Sequence, residues 1–316
     1  MKGWMIAAAV LCVTGLVFAA VGLGQLNFDF TRLTVDQLRD GEYTASPSVT
    51  RLEIHVDTCD VTLLPTADEH CTVKYRSTDK CPLVVTEKEG TLSVRMENHR
   101  KWYDYIRFFS LPTTVTVYLP EATYEALTVR TDTGAVTVPQ DLTFGRAEVH
   151  TSTGSIQWRA SVTEELHLTA DTGHITVEGA SAGQMTLKAS TGHVRVTEGT
   201  VAGDISARTS TGRVELTSLS CNKLEVTTST GHIRLTDLRA AGALTAEAST
   251  GDITLLRADA ASLTITTDTG DVTGSLLSEK IVFAQSDTGR VNVPRSTVGG
   301  RCEVTTDTGN ITITIE

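Results

Sequence analysis

Ten copies of a Ser/Asp-Thr-Gly tripeptide recur through the last two thirds of this chain, ending at Gly134, Gly154, Gly173, Gly192, Gly212, Gly231, Gly251, Gly270, Gly289 and Gly309. Every gap is 19 or 20 residues. A period this strict is the mark of stacked, nearly identical structural units, each too small to bury an apolar face alone.

Counting outward from each glycine shows what a unit is. Seven, five and three residues before Gly173 stand Leu166, Leu168 and Ala170, and two and four after it stand Ile175 and Val177. The same frame gives Met185, Leu187, Ala189, Val194 and Val196 around Gly192, and Leu224, Val226, Thr228, Ile233 and Leu235 around Gly231. The intervening positions are mostly Thr, Glu, Arg, Lys, His and Asp. A period of two reads as strand, tight turn, strand, and excludes an amphipathic helix.

Two short strands bury their inner face by stacking coil upon coil, about 4.8 Å apart. The sequence therefore predicts an all-β fold, a parallel β-solenoid of about eleven coils, each pairing with its sequence neighbours and leaving exposed edges only at the two ends. A right-handed winding is expected from the usual hand of parallel β connections. Leu219, Leu238, Ala258 and Leu277, seven residues after their glycines, suggest a third, shorter side.

Glycine tolerates the positive φ of a tight turn, and a Ser or Asp two residues earlier can accept a hydrogen bond from nearby backbone N–H groups. Asp132, Asp171, Asp268, Asp287 and Asp307 interchange with Ser152, Ser190, Ser210, Ser229 and Ser249 at that position, which favours a turn-capping oxygen over a required charge. Asp268, Asp287 and Asp307 are expected to stack, near Asp252 and Asp271, and calcium would be the natural counter-ion. The calcium-binding nonapeptide pattern is absent, so the turn reading stands.

An earlier unit runs from Leu52 to Leu63, with Cys59 in the glycine position and Leu52, Ile54, Val56, Val61 and Leu63 in the buried frame. Residues 70–120 alternate without the motif. A hairpin is expected around Glu87-Lys-Glu-Gly90 and a strand over Val115–Leu119, together capping the N-terminal end of the stack. Trp102, Tyr103, Tyr105, Phe108 and Phe109 form the one non-repetitive aromatic cluster. They read either as a cover for the open end or as a ligand or membrane platform, with Lys101 and Arg107 reaching lipid headgroups.

Residues 4–24 carry no charge and are long enough to span a hydrocarbon core of about 30 Å. The short positive end at Lys2 places the β-region outside the cytoplasm. A cleaved signal peptide is the alternative, with small residues at Ala19 and Ala20; Leu11 before Cys12 does not support a lipid-anchor signal. The resulting division is an anchor over 1–24, a linker over 25–48, the first coil and irregular β cap over 49–126, and repeats over 127–316. The net charge of −11 argues against nucleic acid and anionic membranes as electrostatic partners. Cys302 falls on a buried position, and one disulfide among Cys59, Cys71 and Cys81 is open.

No nucleophile elbow, phosphate loop or zinc-protease helix occurs, and the connectors are too short for a catalytic groove, so no enzyme activity and no cofactor are expected. His174, His193 and His232 follow their turn glycines and fall in one outward column interrupted by Arg213. Such imidazoles could bind Zn²⁺ or sense pH, but no carboxylate stands ready to orient them, and a solvated face with no metal is the simpler expectation.

The strand Val115-Thr-Val-Tyr-Leu-Pro120, followed by Leu127-Thr-Val-Arg-Thr-Asp-Thr-Gly-Ala-Val-Thr-Val138 and its repetitions behind a hydrophobic N-terminus, resembles the bacterial domain-of-unknown-function family known as "putative adhesin". The likeness covers residues 49–316. It implies a β-solenoid at the cell envelope, linked in some members to envelope stress, and carries no catalytic residues. The chain is thus expected to be a non-catalytic envelope protein anchored in the bilayer through residues 4–24, serving adhesion, protein interaction or stress sensing. The expected partner is an envelope or regulatory membrane protein, or a surface glycan; a glycan-binding module or polysaccharide-acting enzyme is the alternative.

Overall fold

The computed structural model describes residues 11–15, 17, 21, 38–99 and 113–316. In it the period-two segments stack in register as parallel strands. On one side of the coil Leu166, Met185, Ile205, Leu224, Leu244 and Leu263 are successive partners. On the second side Ile156, Ile175, Val194, Val214, Ile233 and Ile253 succeed one another. All are buried, each stabilising the stack by about 1.5–3 kcal/mol relative to exposure. The chain is an all-β parallel solenoid with one continuous core, aliphatic through most of the repeats.

The turn needs glycine for steric as well as torsional reasons. Nine of the ten glycines have φ between 143° and 157°. A Cβ on any of the ten would lie 1.8–2.2 Å from the carbonyl oxygen of the residue stacked beneath it. Cys59 holds the equivalent place under Gly134, as the sequence frame requires.

A second corner, six residues after the glycine, opens the third side. Gly179, Glu198, Ser218, Asp237 and Arg257 all adopt left-handed backbone there, with φ of 53–64°. Leu219, Leu238 and Ala258 follow and point inward; in the next coil the register slips by one, so Leu276 rather than Leu277 packs against Ala258.

The N-terminal end is closed by antiparallel strands. Leu83–Lys88 and Thr91–Met96 form the expected hairpin, turning at Glu89 and Gly90 with φ of 50° and 74°, as a two-residue turn matched to strand twist requires. Thr72–Thr78 pairs antiparallel with Thr114–Pro120, and Leu38–Thr44, inside the expected linker, adds an outermost antiparallel strand. Beneath them the core turns aromatic. Tyr124, Phe144 and Trp158 stack at centroid distances of 5.8 and 5.9 Å.

Coil order departs from sequence order at both ends. Arg51–Thr58 lies between Thr91–Met96 and Thr123–Thr133, so the first coil in sequence is the second in space. At the other end the final coil, Gly300–Ile315, is inserted between Ile253–Leu276 and Lys280–Asn292. The expectation of strictly sequential stacking is corrected accordingly: the last three turns run Gly270, Gly309, Gly289. Gly299 and Gly300 permit the crossing, since a Cβ on either would meet the carbonyl oxygen of Glu279 or Ala261 within 2 Å.

The proposed anchor over 4–24 lies largely outside the described residues. Its described part is helical, and among the described residues no helix is long and apolar enough to cross a membrane. Trp102, Tyr103, Tyr105, Phe108 and Phe109 also lie outside the described residues.

Candidate functional surface at the repeat corner

Where the first side meets the second, every coil brings the equivalent positions around its glycine to one corner, and their hydrogen bonds separate structural from free positions. Three residues before the glycine, buried Thr131, Thr151, Thr209, Thr228, Thr267 and Thr306 donate Oγ1–H to the carbonyl of the residue at the glycine position in the coil beneath, at 3.0–3.3 Å. Ser286 does the same to Gly309, while Ala170, Ala189 and Ala248 supply only volume.

Immediately after the glycine, the backbone N–H is left out of the strand ladder, and in most coils it is capped instead by the side chain of the coil beneath. Asp60 accepts from Ala135 at 2.8 Å, Asp252 from Asp271 at 2.9 Å, Asp271 from Asn310 at 2.7 Å and Asn310 from Arg290 at 3.1 Å. The histidines belong to this series. His174 Nδ1 accepts from His193 N–H, His193 Nδ1 from Arg213 N–H and His232 Nδ1 from Asp252 N–H, each at 3.0 Å. His174 and His193 stack at 4.9 Å with planes 5° apart.

In a neutral ring this arrangement places the proton on Nε2, because only an unprotonated Nδ1 can accept; at His232 the same Nδ1 also lies 3.5 Å from Asp252 Oδ2. Metal ligation through Nε2 would need that proton removed and Nδ1 would then have to carry one, against an N–H already pointing at it. The candidates His174, His193 and His232 are therefore brought into one column but turned to a backbone-capping task. Among the described residues no group of three or more His, Cys, Asp or Glu is placed to hold a metal ion. Partial burial, with the neighbouring His174 and Arg213, holds His193 below the ordinary imidazole value, and Glu215 opposes this. Arg195 and Arg213 share Glu215; partial burial raises its carboxyl, but those two guanidinium contacts outweigh that and leave it below the usual range.

The turn-capping role expected of the Ser/Asp position is corrected by the same census. None of Asp132, Ser152, Asp171, Ser190, Ser210, Ser229, Ser249, Asp268, Asp287 or Asp307 accepts a backbone N–H among the described residues; the caps come from the residue after the glycine, one coil away. Their side chains, and those of the ten following threonines, stand at the surface, all exposed but half-buried Ser152. Asp268, Asp307 and Asp287 do form a contiguous column, in that spatial order. Two adjacent columns of hydroxyls and carboxylates thus run the length of the repeat, one step per coil, about 4.8 Å apart. The sequence signal for this surface is the Ser/Asp-Thr pair of the motif itself.

The sequence signature of Toastrack DUF4097 matches residues 49–314. The chain belongs to this family. Solved structures are similar to it at low identity, and the first of these shares the fold. One described as a "putative lipid binding protein" from Parabacteroides distasonis has 15% identity and a TM-score of 0.51, covering 87% of this chain and 96% of that one. A "putative adhesin" from Bacteroides fragilis has 13% identity and a TM-score of 0.39, over 89% and 97% of the two chains. Another "putative adhesin", from Parabacteroides merdae, has 9% identity and a TM-score of 0.47, over 88% and 96%. Among curated proteins nothing matches the chain.

Proposed function

We propose that this Toastrack protein is a non-catalytic component of the bacterial cell envelope, held to the membrane by residues 4–24, whose solenoid is an adhesive surface. The observation that carries the reading is the pair of exposed corner columns: Ser or Asp followed by Thr in every repeat, with side chains that no backbone N–H requires. A residue choice repeated through ten coils, with structural side-chain hydrogen bonds in the columns confined to the last coils at Asp287 and Thr288 among the described residues, suits recognition of an extended polar polymer, where weak equal contacts add along its length.

The full chain in membranes, crosslinked and pulled down, is compared with its binding to an array of envelope glycans. Replacing Ser190, Ser210 and Ser229 together by alanine is expected to weaken binding with thermal stability unchanged. Unaltered binding by this triple variant would remove the corner from the reading. Recovery of a regulatory membrane protein in place of a surface polymer would favour stress sensing by the same surface, and glycan turnover by the purified chain would overturn the non-catalytic assignment.

A further inference from the structure

Among the described residues one charged side chain is buried, that of Lys280, 5% exposed. It has no counterpart in the repeat. Its Nζ donates to Asp259 Oδ1 at 2.8 Å and to Ser278 Oγ at 2.5 Å, and Ser278 Oγ donates in turn to the same Asp259 oxygen at 2.7 Å. Burying an ammonium is costly unless its partners are held in place, so a lone buried lysine in an otherwise aliphatic solenoid calls for a local reason.

The location supplies one. Lys280 opens the outermost coil, and its partner in register on the inserted coil is Gly300. Beneath Gly300 lies the Ala261 carbonyl, in the coil that also carries Asp259. Lys280 Cδ passes 3.8 Å from where a Cβ on Gly300 would stand, so the side chain leans along the inserted layer to reach the layer below it. The ion pair joins the two coils that flank the chain's own C-terminal segment. At the same crossing Ser296 Oγ donates to Glu279 Oε2 at 3.1 Å, tying the return connector under the outgoing one.

We propose that Lys280–Asn292 is a lid latched by the Lys280–Asp259 pair over the C-terminal coil, so that residues 300–316 enter or leave the solenoid only when the latch opens. The inserted coil is buried on both flanks, through Cys302, Val304, Ile311 and Ile313, whereas the lid has exposed Phe283 and Val291 and only half-buried Val282, Ala284 and Val293. The weakly held layer covers the strongly held one, and the ion pair of buried Lys280 with half-buried Asp259 supplies what the lid's small inward side chains do not. In a chain made from its N-terminus the lid exists before the segment it covers, so the latch closes only after that segment has docked.

Hydrogen exchange of the full chain, wild type against Lys280→Met and Asp259→Asn, tests the latch. Leaving the buried Lys280 ammonium without its carboxylate partner is expected to speed exchange in residues 302–313 about tenfold or more. Exchange in residues 205–250 should stay within about twofold, because solenoid coils report mainly on their neighbours. Asp259→Asn keeps the side-chain shape, so it decides the matter if the methionine variant folds poorly. Unchanged exchange across 302–313 in Asp259→Asn, or equal acceleration throughout 205–250, would overturn the proposal.

Discussion

Protonation of His193 should open the repeat corner at one identifiable amide. The neutral Nδ1 accepts the Arg213 N–H at 3.0 Å, and a protonated ring cannot. Loss of one neutral hydrogen bond costs about 0.5–1.5 kcal/mol, which lowers the protection of the Arg213 amide about 2- to 13-fold. The new cation would also face Arg213 and Arg195, with Glu215 as its one nearby anion and His174 stacked on its other side at 4.9 Å. Because His193 titrates below the ordinary value of 6.5 in the fold, the stabilisation is fully present above pH 6.5 and is lost as the pH falls through the lower folded value. The assay is the amide protection factor of Arg213, corrected for intrinsic exchange, measured downward from pH 7.5 alongside the ¹⁵N shifts of the imidazole. His193→Asn is the control. An Asn in this column already accepts such an N–H, as Asn310 does from Arg290 at 3.1 Å, so the variant should hold protection constant with pH. A proton found on Nδ1 at pH 7.5, or the same pH dependence in wild type and variant, would refute the argument.

Gly212→Ala places a Cβ 1.8 Å from the Gly192 carbonyl oxygen and forces two coils apart, so a loss of about 3 kcal/mol or more is expected in chemical denaturation. The second corner behaves oppositely: Glu198 holds φ at 54° with a side chain that disfavours it, and Glu198→Gly should stabilise by up to about 1 kcal/mol. Cys59 is pushed up to about 12 and Cys221 and Cys302 to about 11 by burial. None of the three should be alkylated by iodoacetamide at pH 8 in the native chain, and all should react after denaturation, as mass spectrometry would show.

The face of each residue was legible because period two leaves no freedom once the glycine is placed. Leu166, Met185 and Ile205 point inward wherever their coil lies. The same uniformity hides which coil is whose neighbour. Cys302 and Val304 would fit against Val282 and Ala284 in either order, since the frame specifies inward positions and says nothing about sequence of layers. Two local departures from the repeat do carry that information. Val282, Ala284, Ser286, Val291 and Val293 are smaller than the corresponding Leu263, Ile265, Thr267, Val272 and Gly274 only in part, but they combine with a buried-frame lysine one step earlier, and the following connector ends in Gly299-Gly300. A charge at the mouth of a coil with adjacent glycines just before the next one marks a crossing, because only there must one backbone pass beneath another.

The corner shows the complementary limit. Ser and Asp two residues before glycine suggested local capping, which is the usual reason for those side chains in a turn. In a stack, however, the unpaired N–H belongs to the residue after the glycine, and the nearest acceptor comes from the coil beneath. Asp60, His174, His193, His232, Asp252, Asp271 and Asn310 look unrelated in sequence and become one class only when each coil is set on another. Arg213 tests the rule. It offers no acceptor, no side chain among the described residues caps the His232 N–H above it, and its guanidinium turns to Glu215 at 3.0 Å instead. Arg213→Asn should therefore add the missing cap, raising protection at the His232 amide about 2- to 13-fold for one hydrogen bond, while leaving the already capped Asp252 amide unchanged. If both amides respond alike, the column is a set of independent contacts and the capping ladder is wrong.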